Sequence, residues 1–303
     1  MSETTTNQST DPFITIDPSD RFFGRVTPDV DVQFGAATHQ GLVRSNNEDH
    51  YAVVRRFRSR EVLLTNMPAD AYPPHEDNVY ALAVADGVGG AAFGELASEL
   101  ALRTGWELTG RAFKWGFILS EAETNELIES VKVFVQLIHQ RIQAEADQVA
   151  RGMGTTLTGV LTVGWDSLVV HVGDSRAYLL RDRQLHRLTR DQTLAELMVD
   201  KGIIASVDQA ASRFRSTLIS CLGGNYPEVD VETTHVSLQP NDQLLLCTDG
   251  LTDMVDEPEI AEILIRPVSV QARCEALIQA ALREGGADNV TVVLGEFSQS
   301  ADR

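Results

Sequence analysis

The sequence predicts an α+β protein in which two β-sheets form a sandwich covered by helices. Seven short runs rich in β-branched residues are bounded by Gly, Asp or Asn, as strands usually are. They cover residues 50–56, 79–85, 157–163, 167–173, 176–181, 243–247 and 290–297. Segments with helical periodicity are grouped between these runs and do not alternate with each one, which argues against a βαβ repeat.

Three helices are predicted from periodicity and capping signals. The first covers residues 92–109. In the second, apolar residues recur at i, i+3, i+4 and i+7 over residues 127–142, after a capping-box match of Ser120 with Glu123. The last helix covers residues 269–283, and two glycines follow it as a stop signal.

The organisation along the chain indicates one domain with short flanks. Residues 1–25 are rich in Ser, Thr and Asp and are predicted to be a flexible arm, followed by a domain over 26–298 and a tail over 299–303. An insertion over 57–78 carries three prolines in its second half and is predicted to be a surface loop. It either adjusts access to a site or has no role in function.

The composition excludes several classes of function. A net charge of -19 and a pI near 4.7 argue against nucleic acid and anionic membranes as partners, and favour divalent cations or basic segments. The longest apolar runs are far shorter than the ~20 residues of a membrane span, and no signal peptide is recognisable, so we expect a cytoplasmic protein. The three cysteines are expected to be buried, reduced thiols.

Four predicted strands each carry an aspartate at one tip: Asp86, Asp174, Asp249 and Asp288. Any one of them has a simple structural interpretation, because Asp and Gly are common in turns. If all four meet at one edge of the sandwich, however, the carboxylates repel each other unless cations lie between them. Oxygen ligands without His or Cys at ligand spacing favour Mg²⁺ or Mn²⁺ over zinc.

A basic residue precedes another acidic pair in the segment "GLVRSNNEDHYAV". Arg44 lies four residues before Glu48 and five before Asp49, just ahead of a predicted strand. A guanidinium beside carboxylate-held metals can bind two phosphate oxygens with its planar fork. A surface ion pair is the alternative interpretation.

Six motifs follow one another along the chain: "GLVRSNNED", "VADGVGG", "GMGTTLTGVL", "VGDSRAYLL", "LLLCTDGLTDMV" and "GADNVTVVL". In this order they resemble the motifs of the metal-dependent protein phosphatases (the PPM or type 2C family) in their bacterial form, and the resemblance spans about residues 33–297. It implies two antiparallel sheets flanked by pairs of antiparallel helices, with a two-metal centre at one end of the sandwich. It also implies hydrolysis of phosphoserine and phosphothreonine in proteins, by attack of a water held between the metals.

The resemblance also implies roles for individual residues. Asp86 corresponds to the carboxylate that bridges both Mn²⁺ or Mg²⁺ ions and Gly87 to a carbonyl ligand, while Asp249 and Asp288 complete the set. Asp174 corresponds to an aspartate that recruits a third, weaker ion together with the carboxylate matching Asp249; its alternative interpretation is a turn residue.

The resemblance assigns the remaining polar residues to catalysis and substrate binding. Glu48 and Asp49 correspond to acids that hold metal-bound waters, and Arg44 to the phosphate-binding arginine. The implied partners are phosphorylated proteins, with a Ser/Thr kinase acting in opposition.

The sequence departs from the family pattern in two places. Val88 stands where some relatives carry a histidine thought to protonate the leaving group, so a water has to serve instead. Residues 191–225 resemble the variable flap over the site, but Gln192 and Thr193 replace a common His-Ser pair.

Two other functions remain as alternatives. The stretch "DGVGGAA" satisfies a G-x-G-x-x-A dinucleotide pattern, but an acid directly before its first glycine would repel a pyrophosphate. A catalytically weak pseudophosphatase that binds phosphoproteins would keep the fold. Loss of a metal ligand would mark such a protein, and Asp86, Asp249 and Asp288 are all retained.

Overall fold

A computed structural model describes the chain between Val30 and Gln299 with short gaps. The described residues are 30–59, 61–68, 76–89, 92–112, 121–149 and 152–299. The predicted arm over 1–25 lies outside them, as do residues 300–303 of the predicted tail. Ser120 of the predicted capping box also lies outside the described residues.

Strands account for most of the regular structure. In chain order they are β1 Val30–His39, β2 Asp49–Ser59, β3 Glu76–Val88, β4 Gly154–Thr155, β5 Leu157–Val163, β6 Asp166–Val172, β7 Arg176–Arg181, β8 Gln184–Arg187, β9 Leu222–Gly223, β10 Glu232–Ser237, β11 Gln243–Cys247 and β12 Val290–Gln299. The helices are α1 Ala92–Ala112, α2 Glu121–Val149, α3 Leu194–Asp200, α4 Ser212–Arg215, α5 Asp249–Thr252, α6 Glu257–Leu264 and α7 Val270–Arg283. A single 3₁₀ turn, Val207–Gln209, lies between α3 and α4.

The strands form two sheets. The first has the order β1-β12-β11-β7-β8, and the second has the order β10-β6-β5-β3-β4-β9, with β2 paired to β3. Each pairing recorded between these strands is antiparallel. This arrangement confirms the predicted α+β sandwich.

The alternation of side chains along β11 explains how the layers stack. Leu244 and Leu246 are fully buried in the core between the two sheets, together with residues of the second sheet such as Leu82. Leu245 and Cys247 point the other way and pack under α6 and α7. Because successive side chains of a strand face opposite sides, one short apolar strand contributes to two cores.

A pair of helices covers each outer face of the sandwich. On the second sheet, Leu100 of α1 and Ile138 of α2 pack against apolar residues of the strands, including Leu168. On the first sheet, α6 and α7 supply buried residues such as Ile260 and Leu277. The sheets are therefore held rigidly from both sides, and so are the strand ends that carry the acids.

The predicted elements match the structure well at the centre of the sheets. The runs predicted over 157–163, 176–181 and 243–247 are strands with those bounds. Helix α7 begins as predicted, because the side chain of Ser269 accepts a hydrogen bond from the backbone N–H of Ala272.

The predictions for the insertion over 57–78 and for the tail need correction at their ends. Strand β2 continues to Ser59 and β3 begins at Glu76, so the two pair within the predicted loop. The ladder's hydrogen bonds make strand favourable there although the side chains are polar. Residues 61–68 lack regular structure, and 60 and 69–75 lie outside the described residues. The tail prediction is likewise one residue too long, because Gln299 ends β12, paired with Val30.

The cysteines and two histidines behave as core residues. Cys221, Cys247 and Cys274 are buried free thiols, and burial raises the pKa of Cys247 to about 12. His139 and His171 are also buried, with hydrogen bonds to the Gly223 N–H and to Thr158 respectively. No helix among the residues described is long and apolar enough to cross a membrane.

Candidate metal centre

The antiparallel strand order brings the predicted acids to one edge of the sandwich. Asp49 begins β2 and lies opposite Asp86, near the end of β3. Asp174 follows β6, Asp249 follows β11, and Asp288 precedes β12. Antiparallel neighbours place the end of one strand beside the start of the next, so five carboxylates from five strands meet.

These acids surround a cavity of about 420 Å³ that opens at the edge of the sheets. Its lining consists of Arg44, Ser45, Asn46, Glu48, Asp86, Gly87, Val88, Gly89, Asp174, Ser216, Leu218, Asp249, Asp288 and Asn289. All the predicted site residues except Asp49 line this cavity. Asp49, which is 5% exposed, lies opposite Asp86 on the adjacent strand β2.

Asp86 is fixed by backbone hydrogen bonds on both sides. Its N–H donates to Thr156 Oγ1 (3.0 Å), and its carbonyl accepts from the Thr156 N–H (2.9 Å). Burial, followed by the negative charges of Asp49 and Asp249, raises the pKa of Asp86 well above its usual range. The backbone of Asp86 is therefore fixed by Thr156, and its carboxyl group lies among other acids.

Gly87 is required by the close approach of two backbones. A Cβ at this position would lie 2.3 Å from the backbone carbonyl of Gly94 in α1. Its N–H also donates to the carbonyl of Glu48 (3.2 Å). Sequence reasoning explained Gly87 by a metal-binding carbonyl alone, whereas helix packing already demands a glycine here.

Asp49 is buried, and only one of its two carboxylate oxygens has a hydrogen-bond partner. Thr248 Oγ1 donates to its Oδ2 (2.8 Å), while Oδ1 is buried without a hydrogen-bond partner. Burial is the main cause that raises the pKa of Asp49 to about 6. This carboxyl group therefore has a free acceptor atom beside the cavity.

Glu48 is positioned through its backbone. Its N–H donates to Asn289 Oδ1 (2.8 Å), and its carbonyl accepts from Ser98 Oγ (2.6 Å). Its side chain lies over Gly94, where a Cβ would come within 1.9 Å of Glu48 Oε2. Burial raises the pKa of Glu48 as well.

Asp249 and Asp288 differ in how their charges are balanced. Asp249 begins α5, and its Oδ1 is buried without a partner. Burial and the charge of Asp174 raise its pKa well above the usual range. Asp288 instead pairs with Arg44, whose Nη2 lies 2.5 Å from Asp288 Oδ2.

Asp174 follows Gly173, which has a positive φ of 110°. The aspartate is 8% exposed. Burial, followed by the charges of Asp191 and Asp253, raises its pKa to about 7. The shift reflects a buried carboxyl group with other acids nearby.

The residues fit divalent cations. The donors are carboxylate and carbonyl oxygens, and two buried oxygens, Asp49 Oδ1 and Asp249 Oδ1, have no partner. Among the described residues, no three His, Cys, Asp or Glu side chains are arranged so that they could hold a metal ion together. Asp288, engaged with Arg44, would have to turn from it toward a cation.

Sequence reasoning missed two residues that organise this edge. Asn289 is buried and bridges Glu48, Gln40 and Asn46. Asp253, the C-cap residue of α5, lies near enough to Asp174 for its charge to raise the pKa of that aspartate. Asn289 directly follows Asp288, and Asp253 lies four residues after Asp249. Their positions within the motifs that carry the acids are the signal that could have identified them.

Gln192 and Thr193, which replace the common His-Ser pair, anchor the flap-like segment. Gln192 Oε1 accepts from the Gly173 N–H (2.9 Å), and its Nε2 donates to the Asp230 carbonyl (3.1 Å). Thr193 is the N-cap of α3. The segment is therefore tied to the turn that carries Asp174.

Comparison with known sequences identifies similar proteins. A sequence model of the family described as protein phosphatase 2C matches residues 69–284. The serine/threonine protein phosphatase PstP of Mycobacterium tuberculosis is 35% identical over 265 residues, which are 88% of this chain and 45% of that protein. The serine/threonine phosphatase stp of Listeria monocytogenes is 34% identical over 261 residues, or 86% of this chain and 93% of that protein. This chain thus spans about half the length of the mycobacterial relative.

Solved structures agree with the sequence comparison. The crystal structure of the Mycobacterium tuberculosis phosphatase PstP/Ppp is 35% identical with a TM-score of 0.67, and the match covers 88% of this chain and 99% of that one. The catalytic domain of PstP in complex with two manganese ions is 32% identical with a TM-score of 0.66, and the match covers 89% of this chain and 100% of that one.

Proposed function

Because the chain belongs to the protein phosphatase 2C family of metal-dependent protein phosphatases, we propose that it hydrolyses phosphoserine and phosphothreonine in proteins. One observation carries this proposal: rigid strand ends bring five aspartates together beside an exposed arginine, and two of their buried oxygens have no partner. Such a cavity attracts cations and, once they are bound, a phosphate group.

The metal ligands in this proposal are carboxylate and carbonyl oxygens of residues that line the acidic cavity. Asp86, Asp249, Asp288 and the carbonyl of Gly87 would hold two Mn²⁺ or Mg²⁺ ions, and Asp174 would hold a third, weaker one together with Asp249. The ions would supply positive charge that polarises the phosphate and makes water more acidic. Burial, followed by the neighbouring carboxylates, raises the pKa values of Asp86, Asp249 and Asp174, and a bound cation would offset both effects, which supports this assignment.

The chain's own polar groups would bind and orient the substrate and water. Arg44, whose side chain is 57% exposed, would exchange Asp288 for two oxygens of the phosphate. Asp49 Oδ1 and the carboxylate of Glu48 would accept hydrogen bonds from waters and so orient them for attack. Val88 has no proton to donate, so the leaving oxygen would take its proton from water.

The proposed substrates are phosphorylated proteins, with a Ser/Thr kinase acting in opposition. The relatives named as serine/threonine phosphatases support this substrate class. The net charge of -19 argues against nucleic acid as a competing partner. We propose that residues 26–298 form the catalytic domain and that 191–225 act as its flap.

The test is hydrolysis of a phosphothreonine peptide by the purified protein. We expect turnover with Mn²⁺ or Mg²⁺, loss of turnover in EDTA, and recovery when the metal is restored. The matched variant is Asp249→Asn, which keeps the shape of the side chain but removes the charge. It should bind Mn²⁺ more weakly by calorimetry and lose most of its activity.

Two outcomes would contradict the proposal. Full turnover after exhaustive chelation would exclude the metal-dependent reaction. Tight binding of the phosphopeptide without turnover at any metal concentration would indicate a phosphoprotein-binding module instead.

A further inference from the structure

A second cavity adjoins the acidic one. Its volume is about 350 Å³, and the two cavities share a wall formed by Val88, Gly89, Ser216 and Leu218. One side of the second cavity comes from the end of β3, and the other from the flap-like segment. A peptide whose phosphate lies in the acidic cavity would therefore have the second cavity directly beside it.

The lining of the second cavity differs in chemistry from its neighbour. Beyond the shared wall, it consists of Gly152, Cys221, Gly224, Asn225 and Tyr226. None of these lining residues is charged, although the protein carries a net charge of -19 and the acidic cavity is adjacent. An uncharged side chain can enter such a space without losing strong hydration, whereas a charged one would be desolvated at a cost.

The walls of the second cavity are already fixed. The hydroxyl of Tyr226 donates to the Leu218 carbonyl (3.1 Å), and the Tyr226 carbonyl accepts from Gln143 Nε2 of α2 (2.6 Å). The N–H of Gly224 donates to the Met153 carbonyl (2.7 Å). Because these bonds tie the segment to the helical layer and the strands, little ordering would be needed when a ligand binds.

We propose that the second cavity binds an uncharged, apolar side chain of the phosphoprotein, within two residues of the phosphorylated one. The inference rests on the proposed function and gives that site a sequence preference. An extended peptide advances about 3.3–3.6 Å per residue, so a chain whose phosphate lies beside Arg44 reaches over the shared wall within one or two residues. A volume of about 350 Å³ is at the small end for ligand pockets, as expected for one side chain.

The test uses phosphothreonine peptides with Leu, Ala, Lys or Glu placed singly at each of the two positions on either side. At one of these positions, kcat/KM should be higher for Leu than for Ala by roughly tenfold or more, because Leu occupies space in the uncharged cavity that Ala leaves empty. Glu should be the poorest residue there, because the neighbouring carboxylates repel it. A preference of less than twofold at all four positions would overturn the proposal.

Variants at Asn225 connect the preference to the cavity. Asn225→Trp fills the space, so the ratio of kcat/KM for the Leu and Ala peptides should fall toward one. Asn225→Asp adds a negative charge, so it should raise kcat/KM for the Lys peptide relative to that for the Leu peptide. Glu228→Trp adds the same bulk at an exposed position outside the lining, and its Leu/Ala ratio should match that of the unmodified protein. Equal ratios in all variants would contradict the assignment.

The design separates this inference from the proposed function. If an aryl phosphate is hydrolysed but no phosphopeptide is, the proposed protein phosphatase function fails. The cavity is then tested by using the peptides as competitive inhibitors of aryl phosphate hydrolysis. Weaker inhibition by the Leu peptide in Asn225→Trp, but not in Glu228→Trp, would still support the cavity, and equal inhibition would reject it.

Discussion

At the scale of single residues, Arg44 contacts Asp288 in the structure and a substrate phosphate in the proposed reaction. In the structure it pairs with Asp288, and the side chains are 57% and 34% exposed. An ion pair this open to water stabilises a protein by only about 0–1 kcal/mol. The pairing is therefore weak enough for a phosphate to replace Asp288, which favours substrate binding over a structural role.

We expect Arg44→Ala to weaken competitive inhibition by inorganic phosphate roughly 10- to 150-fold. This range corresponds to the ~1.5–3 kcal/mol typical of a hydrogen bond to a charged group. Arg44→Lys keeps the charge without the planar fork, so its inhibition constant for phosphate should lie between those of the unmodified protein and Arg44→Ala. The measurement is the inhibition constant of phosphate with an aryl phosphate substrate. An unchanged constant in Arg44→Ala would return the residue to a surface ion pair with Asp288.

Asn289 is the residue that holds the Arg44 loop in place. Its Oδ1 accepts from the Glu48 N–H (2.8 Å), and its Nδ2 donates to the carbonyls of Gln40 (2.9 Å) and Asn46 (2.7 Å). The side chain is 6% exposed, so water cannot easily replace these bonds. One amide thus fixes both ends of the segment that carries the arginine.

Asn289→Ala should lower the free energy of unfolding by about 1–3 kcal/mol, because it leaves buried backbone groups unsatisfied. It should also raise the inhibition constant of phosphate, since Arg44 is no longer fixed. Denaturant unfolding and phosphate inhibition are measured on the same preparations. A loss of stability with an unchanged phosphate constant would limit Asn289 to a purely structural role.

The sequence reveals the acids of the site more readily than their supports. Asp86, Asp174, Asp249 and Asp288 could be grouped because each stands at the tip of an apolar strand. Asn289 directly follows Asp288 in the same motif, but its role depends on contacts with residues about 240 positions away in the chain. The local sequence shows where it stands but not these contacts.

At the scale of elements, the first turns of α1 set the distance between the helix and the site. Gly94 lies against Gly87 and under the Glu48 side chain, so a Cβ there would come within 1.9 Å of Glu48 Oε2. Gly105 lies further along the same helix, and its Cβ would meet only Ile138 Cδ1 at an ordinary 3.8 Å. The two glycines form a matched pair for testing the helix position.

We expect Gly94→Ala to displace Glu48 and reduce kcat/KM for phosphopeptides at least tenfold, a loss of about 1.4 kcal/mol or more of transition-state stabilisation. Gly105→Ala should instead stabilise the protein by up to about 1 kcal/mol, because alanine is the better helix former. Kinetics and thermal unfolding of both variants decide this. Equal activity in the two variants would mean that Glu48 tolerates a shift of the helix.

Elements buried on both faces are predicted better than elements at the edges. Strand β11, with the sequence QLLLC, is buried throughout and stands out as a continuous apolar run. Strands β8 and β10 were missed because they alternate between partly buried and exposed residues at sheet edges. The first strand, β1, was missed as well, because its burial is mostly intermediate and its place depends on pairing with β12 at the far end of the chain.

At the scale of the whole molecule, the fold concentrates like charges at one edge and so couples stability to pH. Burial raises the pKa of Asp174 to about 7 and that of Asp49 to about 6. Groups whose pKa is raised by folding stabilise the protein at low pH and lose that contribution as pH rises through the raised value. His171 acts in the opposite direction, because burial lowers its pKa to about 4 and folding then opposes its protonation below the usual 6.5.

We therefore expect Asp174 to lower the stability of the metal-free protein progressively as pH rises from about 4, near its ordinary pKa, to about 7, its raised pKa in the folded state. The slope that one proton contributes is at most about 1.4 kcal/mol per pH unit. His171 acts in the opposite direction between about pH 4 and its usual 6.5, so the comparison with Asp174→Asn isolates the aspartate. Asp174→Asn cannot ionise, so its stability relative to the unmodified protein should increase from about pH 4 to about pH 7 and change little above that. Thermal unfolding of EDTA-treated proteins measures this, and saturating Mn²⁺ should flatten the slope because the cation compensates the charges. If the two metal-free proteins instead show the same slope, the carboxylate of Asp174 is not held among uncompensated charges, and its proposed place in the metal centre is lost.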